Sequence, residues 1–114
     1  MLARLSAVMF LLAMPAFAAD QDFQVVNRTG YQIDEVYVGA SSSRSWGKDL
    51  MGRGSLGDGE RVDITFPNRT TACKFDIKVV YNDGDEAELG GVNLCSVSKV
   101  NLYWRNGATR AVTE

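Results

Sequence analysis

The sequence predicts an all-β fold, a small antiparallel β-sandwich of seven or eight short strands with one disulfide, and three observations lead there. Apolar and polar residues alternate with period two in segment after segment, which places every second side chain on one face of a strand. Clusters of Gly, Asn and Asp interrupt those segments at short, regular intervals, as hairpin turns require. No stretch of useful length carries the helical repeat of apolar residues. Two facing sheets are the arrangement by which so short a chain obtains a sizeable core. A small closed β-barrel produces the same pattern and is the alternative.

The elements follow in order. Phe23 and Val25 share a face, with Gln24 opposite, and Asn27-Arg28-Thr29-Gly30 reads as a turn. Tyr31 and Ile33 share one parity and Val36 and Val38 the other, so a slip at Asp34-Glu35 predicts a bulge or a change of partner. Val62, Ile64 and Phe66 alternate with Arg61, Asp63 and Thr65 until Pro67-Asn68 stops the strand. Cys73, Phe75, Ile77, Val79 and Tyr81 alternate with Lys74, Asp76 and Lys78, the clearest strand in the chain. Asn82-Asp83-Gly84-Asp85 is a hairpin signal. A strand over 86–89 ends at Gly90-Gly91, and 92–95 forms a further short apolar piece. Val100, Leu102 and Trp104 alternate with Lys99, Asn101 and Tyr103, Asn106-Gly107 turns the chain, and 108–112 makes the last strand.

Composition narrows the function. The chain has 114 residues, is 46% hydrophobic and 23% charged, and contains two cysteines and no histidine. Its length suits one domain, and its apolar content is too high for a disordered chain. Without histidine, Ser-His-Asp and Cys-His catalysis, Cys₂His₂ zinc sites and histidine-ligated haem are excluded.

Residues 1–18 read as a cleaved secretory signal: Arg4, a short apolar run over 5–14, Pro15, then Ala16-Phe17-Ala18 ahead of the cut. The run is too short for a membrane span, which takes about 20 apolar residues. The expected organisation is therefore a signal over 1–18 and one β-sandwich domain over 19–114, periplasmic or secreted from a bacterium. Loss of Arg4 moves the formal charge from −2 to −3. A mildly acidic domain has no broad field to draw in nucleic acid or anionic lipid. No membrane span is expected in the mature chain.

Export implies an oxidising compartment, where Cys73 and Cys95 are expected to form one disulfide. The bridge would tie strands across the core or at its edge.

The segment 39–60 does not look like scaffold. It carries five of the eleven glycines after Gly39, with Arg44, Trp46, Lys48 and Asp49 grouped in the middle. Long connections in small domains are disproportionately functional. One reading makes it a recognition loop, with Trp46 as anchor and Arg44, Lys48 and Asp49 as polar contacts. The other folds Trp46, Leu50 and Leu56 back to plug an open end of the sandwich, and makes Leu56-Gly57-Asp58-Gly59-Glu60 the turn into the next strand. For Trp46 both readings stand.

Asp83 and Asp85, with Glu86 and Glu88, offer oxygen ligands at alternating positions, which makes Asp83 and Asp85 calcium candidates. Neither the loop length nor the terminal glutamate of an EF-hand is present, and Asp-Gly is also ordinary turn chemistry. Asp34, Asp49, Asp58 and Asp76 are carboxylates that no spacing brings into one cleft, so no catalytic residue, cofactor site or cofactor is assigned and an enzyme is not expected.

Phe23-x-Val25-x-Asn27-x-Thr29-Gly30-Tyr31-x-Ile33, Ser45-Trp46-Gly47-x-Asp49, Leu56-x-x-Gly59, Cys73-x-Phe75-Asp76, Tyr81-x-Asp83-Gly84 and Asn93-Leu94-Cys95 together resemble a family of small exported bacterial proteins of unknown function. Some carry the inherited names Tat pathway signal protein or argininosuccinate lyase. Neither name suits these residues, since the twin arginine is missing and a short strand-forming chain cannot supply a large helical lyase. The resemblance implies export, one domain and the disulfide, and it carries over no active site. A second resemblance is confined to two hairpins. Val79-Val80-Tyr81-Asn82-Asp83-Gly84-Asp85-x-Ala87-x-Leu89 and Tyr103-Trp104-x-x-Gly107 are similar to stretches of the small periplasmic lysozyme inhibitors, which are disulfide-bearing β-barrels. The expected function is thus a non-enzymatic exported binding or structural module of the envelope, with a protein or envelope component as partner. The alternatives are a calcium-dependent module and a periplasmic inhibitor of a lysozyme-like enzyme.

Overall fold

The computed structural model describes residues 21–66 and 70–114. The signal and cleavage site assigned over 1–18, and the strand stop at Pro67-Asn68, lie outside the described residues. Among the described residues seven strands follow one another: β1 (Phe23–Arg28), β2 (Ile33–Ala40), β3 (Arg61–Ile64), β4 (Lys74–Tyr81), β5 (Glu86–Asn93), β6 (Lys99–Arg105) and β7 (Ala108–Thr113). They form two sheets, ordered β3-β1-β6-β7 and β2-β4-β5. Every pairing is antiparallel except β1 with β6. The fold is a sandwich rather than the barrel alternative.

The period-two pattern decides what lies between the sheets. Phe75, Ile77, Val79 and Tyr81 of β4 face Val25, Ile64, Val100 and Leu102 of the other sheet in one buried cluster. Burial of a side chain of this size contributes roughly 1.5–3 kcal/mol.

Strand pairing is irregular at two places. In β2 the register slips between Ile33 and Glu35, which produces the parity change seen in the sequence. In β5 the expected break at Gly90-Gly91 is instead a bulge inside one continuous strand, which is why there are seven strands and not eight. Gly91 has φ +67°, a left-handed conformation that side chains disfavour. Its N–H donates to the Asp76 carboxylate at 3.0 Å, across the register shift.

The disulfide Cys73–Cys95 is present, with Cα atoms 5.1 Å apart. It clips β4 to its neighbour β5, next to the Lys74–Asn93 pair and the Leu94 N–H to Cys73 carbonyl bond. It therefore staples two strands of one sheet and does not cross the core.

The long connection has a structural task. Leu50 N–H donates to the Val36 carbonyl, Asp49 Oδ1 accepts from Val36 N–H at 2.9 Å, and Leu56 bridges Ile33 in both directions. Residues 49–56 thereby cover the outer edge of β2, which would otherwise present unpaired backbone to another chain. On the opposite side, β5 and β7 face each other across an open groove of about 540 Å³.

Candidate functional site

Three turns meet at one end of the sandwich. The β1–β2 loop, the β4–β5 hairpin and the β6–β7 hairpin each deliver an aromatic ring there: Tyr31, Tyr81 and Trp104.

Each ring is held by a different device. Tyr81 is the last residue of β4, buried on the core face, and its hydroxyl is 2.6 Å from Thr109 Oγ1 on β7. Trp104 continues the Val100–Leu102 face of β6 and lies opposite Thr109 in the β6–β7 ladder. Asn106 (φ +54°) and Gly107 (φ +77°) turn the chain just beyond it, the left-handed pair that a two-residue hairpin demands. Tyr31 sits in a loop organised by the fully buried Asn27. Asn27 Nδ2 donates to the carbonyls of Tyr31 (2.7 Å) and Leu56 (2.9 Å), and its Oδ1 accepts from the Thr29 N–H and hydroxyl. Gly30 N–H donates to Asp58 at 2.8 Å, which ties the same loop to the long connection. Every polar atom of the Asn27 side chain is thereby partnered, as burial requires.

The three rings are close to mutually perpendicular, with interplanar angles of 83°, 78° and 86° and centroids 6.3, 5.7 and 6.0 Å apart. They line one concavity of about 140 Å³, completed by Asp83 and Asp85. Tyr81 is nearly all buried, whereas Tyr31 is 53% and Trp104 38% exposed. An aromatic plug would hide its rings. Here two large rings stand in water beside two carboxylates, at the mouth of the core.

Asp83 Oδ1 accepts from Asp85 N–H at 2.9 Å, an Asx turn that supports the hairpin. Among the described residues neither carboxylate is paired with a lysine or arginine, and no three Asp, Glu or Cys residues gather in a way that could hold a metal ion.

The loop singled out from the sequence is arranged otherwise. Arg44 and Lys48 are exposed. Asp49 is engaged by the backbone N–H groups of Val36 and Met51. Trp46 is half-buried on the outer face of the β2-β4-β5 sheet, over Gly39, where a Cβ would come 2.8 Å from the Ser45 carbonyl. The Lys78 ammonium lies 5.4 Å from the Trp46 ring and 4.8 Å from the Tyr37 ring, so the indole already has a cation from its own chain. A shallow cleft of about 150 Å³ remains between Trp46, Arg44 and Asp76. Of the expected plug, Leu56 is buried in the core, Leu50 is exposed at the β2 edge, and Trp46 covers a face rather than an end.

The remaining carboxylates hold local structure. Asp34 accepts from Gln32, Asp58 from Gly30, and Asp76 from the Ser41 hydroxyl at 2.7 Å. That hydroxyl, with the Gly91 N–H, lowers the Asp76 pKa below the ordinary 3.8. On the same outer face the Tyr37 hydroxyl donates to Glu35, which with some desolvation pushes the phenol up to about 12.

Sequence reasoning missed the aromatic trio as a group. The signal was available in part: Tyr81 and Trp104 each end a core-facing alternation immediately before a hairpin turn. Their convergence with Tyr31 depends on sheet order, and no local pattern encodes that.

No family model and no curated protein matches the chain. The solved NMR structure of a protein from Eubacterium rectale is similar to it, with TM-score 0.59 and 11% sequence identity over 83% of this chain and 88% of that one. At that identity the likeness is one of fold. No helix among the described residues is long and apolar enough to cross a membrane.

Proposed function

We propose that this chain is a non-enzymatic exported binding module of the bacterial envelope, and that it takes its ligand at the aromatic end formed by Tyr31, Tyr81 and Trp104. The observation that carries the reading is the exposure of Tyr31 and Trp104 within one preformed concavity. Large rings left in water at a small pocket with a few polar groups are the usual form of a recognition site. Export rests on the signal expected over 1–18 and on the resemblance to small exported bacterial proteins, and a disulfide is compatible with an oxidising compartment. Against the earlier assignment to Arg44, Trp46, Lys48 and Asp49 stand the intramolecular partners of Trp46 and Asp49.

Recovery of envelope components on immobilised protein tests the surface. Loss of the recovered component in Trp104→Ala and its retention in Trp46→Ala is the expected result. Loss in Trp46→Ala alone would return the contact to the long loop.

Inhibition of a lysozyme-like enzyme is the second reading, favoured because the two hairpins that carry that resemblance are those that deliver Tyr81 and Trp104. A lysis assay with and without the protein decides it. Calcium at Asp83 and Asp85 would need ligands beyond these two, and calorimetric titration showing no heat at millimolar calcium removes it.

A further inference from the structure

The rings of Tyr31, Tyr81 and Trp104, close to mutually perpendicular, make an aromatic corner around one concavity. With centroids 5.7–6.3 Å apart, a cation seated among the rings can lie within the about 6 Å of each centroid over which an aromatic ring attracts it. Tyr31 and Trp104 bring most of the exposed aromatic surface to that concavity, while Tyr81 lines it as a nearly buried ring.

Charge agrees with shape. Asp83 and Asp85 complete the concavity, and neither is neutralised by a lysine or arginine among the described residues. The nearest basic side chain on β6, Arg105, stacks 4.8 Å over Tyr103. Residues 103 and 105 project from the opposite face of the strand to Trp104. A cation entering the corner therefore meets the exposed rings of Tyr31 and Trp104, the small exposed part of Tyr81, and two carboxylates.

Size and hydrogen bonding select among cations. A volume of about 140 Å³ is well under the roughly 300 Å³ at which drug-sized pockets begin, so a head group fits and a large ligand does not. A primary ammonium brings three N–H donors, which Asp83 and Asp85 can accept only on their side of the concavity and which the rings satisfy poorly on the other. The Tyr81 hydroxyl is already bonded to Thr109. A quaternary ammonium brings no donors and presents methyl groups to the rings.

We propose that the aromatic corner binds a trimethylammonium head group, with Tyr31, Tyr81 and Trp104 as its walls and Asp83 and Asp85 as its counter-charge. The proposal rests on the reading that this end is the contact surface, and deepens it by naming the ligand class. The head group can come as a free small molecule or on a lipid.

Trp104 fluorescence in a Trp46→Phe background gives the test, since the chain has two tryptophans. Choline should produce a saturable change with a midpoint in roughly the millimolar range. The neutral isostere 3,3-dimethylbutan-1-ol should bind at least several-fold more weakly. Methylammonium should also be weaker, and so should glycine betaine, whose carboxylate approaches Asp83 and Asp85. For the ring contribution the readout is the choline-induced chemical-shift change in the Asp83 and Asp85 amides. Tyr31→Leu and Trp104→Ala should each weaken choline roughly three- to thirtyfold. Tyr31→Leu serves as the primary variant because the ring is half exposed, and circular dichroism checks the fold of both. Asp83→Asn with Asp85→Asn should weaken choline and flatten the salt dependence. Co-sedimentation with phosphatidylcholine vesicles, competed by choline, assigns the lipid source, and choline binding without co-sedimentation assigns the free one. Equal binding of the neutral isostere, or no saturable response to choline, overturns the proposal. If choline fails while Trp104→Ala still loses the envelope component, the ligand class falls and the contact surface stands.

Discussion

Asn27 shows how one polar residue can be worth more inside a sandwich than on it. Its amide satisfies carbonyls from two separate segments and its oxygen caps a third group, in a site with no exposed surface. Asn27→Ala would take one donor each from the Tyr31 and Leu56 carbonyls, which keep the Thr29 hydroxyl and the Ile33 N–H, and would leave the Thr29 N–H without its acceptor, at about 1–3 kcal/mol for the orphaned donor and about 1 kcal/mol for each lost bond. Chemical denaturation of the variant should show a loss of about 2–5 kcal/mol with little change in slope. In the sequence, Asn27-x-Thr29-Gly30 is legible only as a turn. The hub is invisible there because Leu56 is remote in sequence and adjacent only in the fold. Two surface groups make separate residue-level tests. Tyr37 has its pKa raised from 10.0 to about 12, so its contribution to stability is present below 10 and lost as pH rises through about 12. In an ultraviolet titration, Tyr37→Phe should remove a phenol step near pH 12 that the wild type shows. Asp76 has the opposite sign. Its folded pKa lies below the ordinary 3.8, so its contribution is full above that value and fades as pH falls through the folded pKa. Asp76→Asn should therefore be less stable than wild type at neutral pH, with the difference closing in acid below pH 3.8.

At the scale of elements, the strands were legible because period-two burial is a local property. The alternations ending at Tyr81 and Trp104 became β4 and β6, and the parity slip at Asp34-Glu35 became the β2 register shift. What failed locally was the meaning of Gly90-Gly91, since a glycine pair marks a break and a bulge equally well. The difference is made by Asp76 on the neighbouring strand, whose carboxylate captures the Gly91 N–H. The disulfide partner was forced by there being two cysteines, but the strands it joins were not. Because Cys73 and Cys95 flank a hairpin, the closed loop is about 23 residues, worth roughly 3 kcal/mol of denatured-state entropy. Reduction, or Cys73→Ser with Cys95→Ser, should lower Tm by roughly 12–24 °C for a domain of this size. The turn at 82–85 lies at the other end of the hairpin, so the reduced protein should keep its aromatic end at temperatures below the new Tm.

For the whole molecule, the two sides and the two ends of the sandwich differ. One side is closed by residues 49–56 along β2, while the other leaves a groove between β5 and β7. One end carries the disulfide and the other the aromatic corner. The long Gly-rich loop drew attention in the sequence because unusual composition is local. The corner escaped it because each of its rings, taken singly, reads as ordinary core. The proposed recognition lies at the turn-bearing end, while Trp46 covers Gly39. The two indole N–H groups report on it separately in a proton–nitrogen correlation spectrum of the wild-type protein titrated with choline. The account predicts that the Trp104 resonance moves saturably while that of Trp46 stays in place. A shift of Trp46 alone, or no shift of Trp104 at saturating ligand, would contradict it.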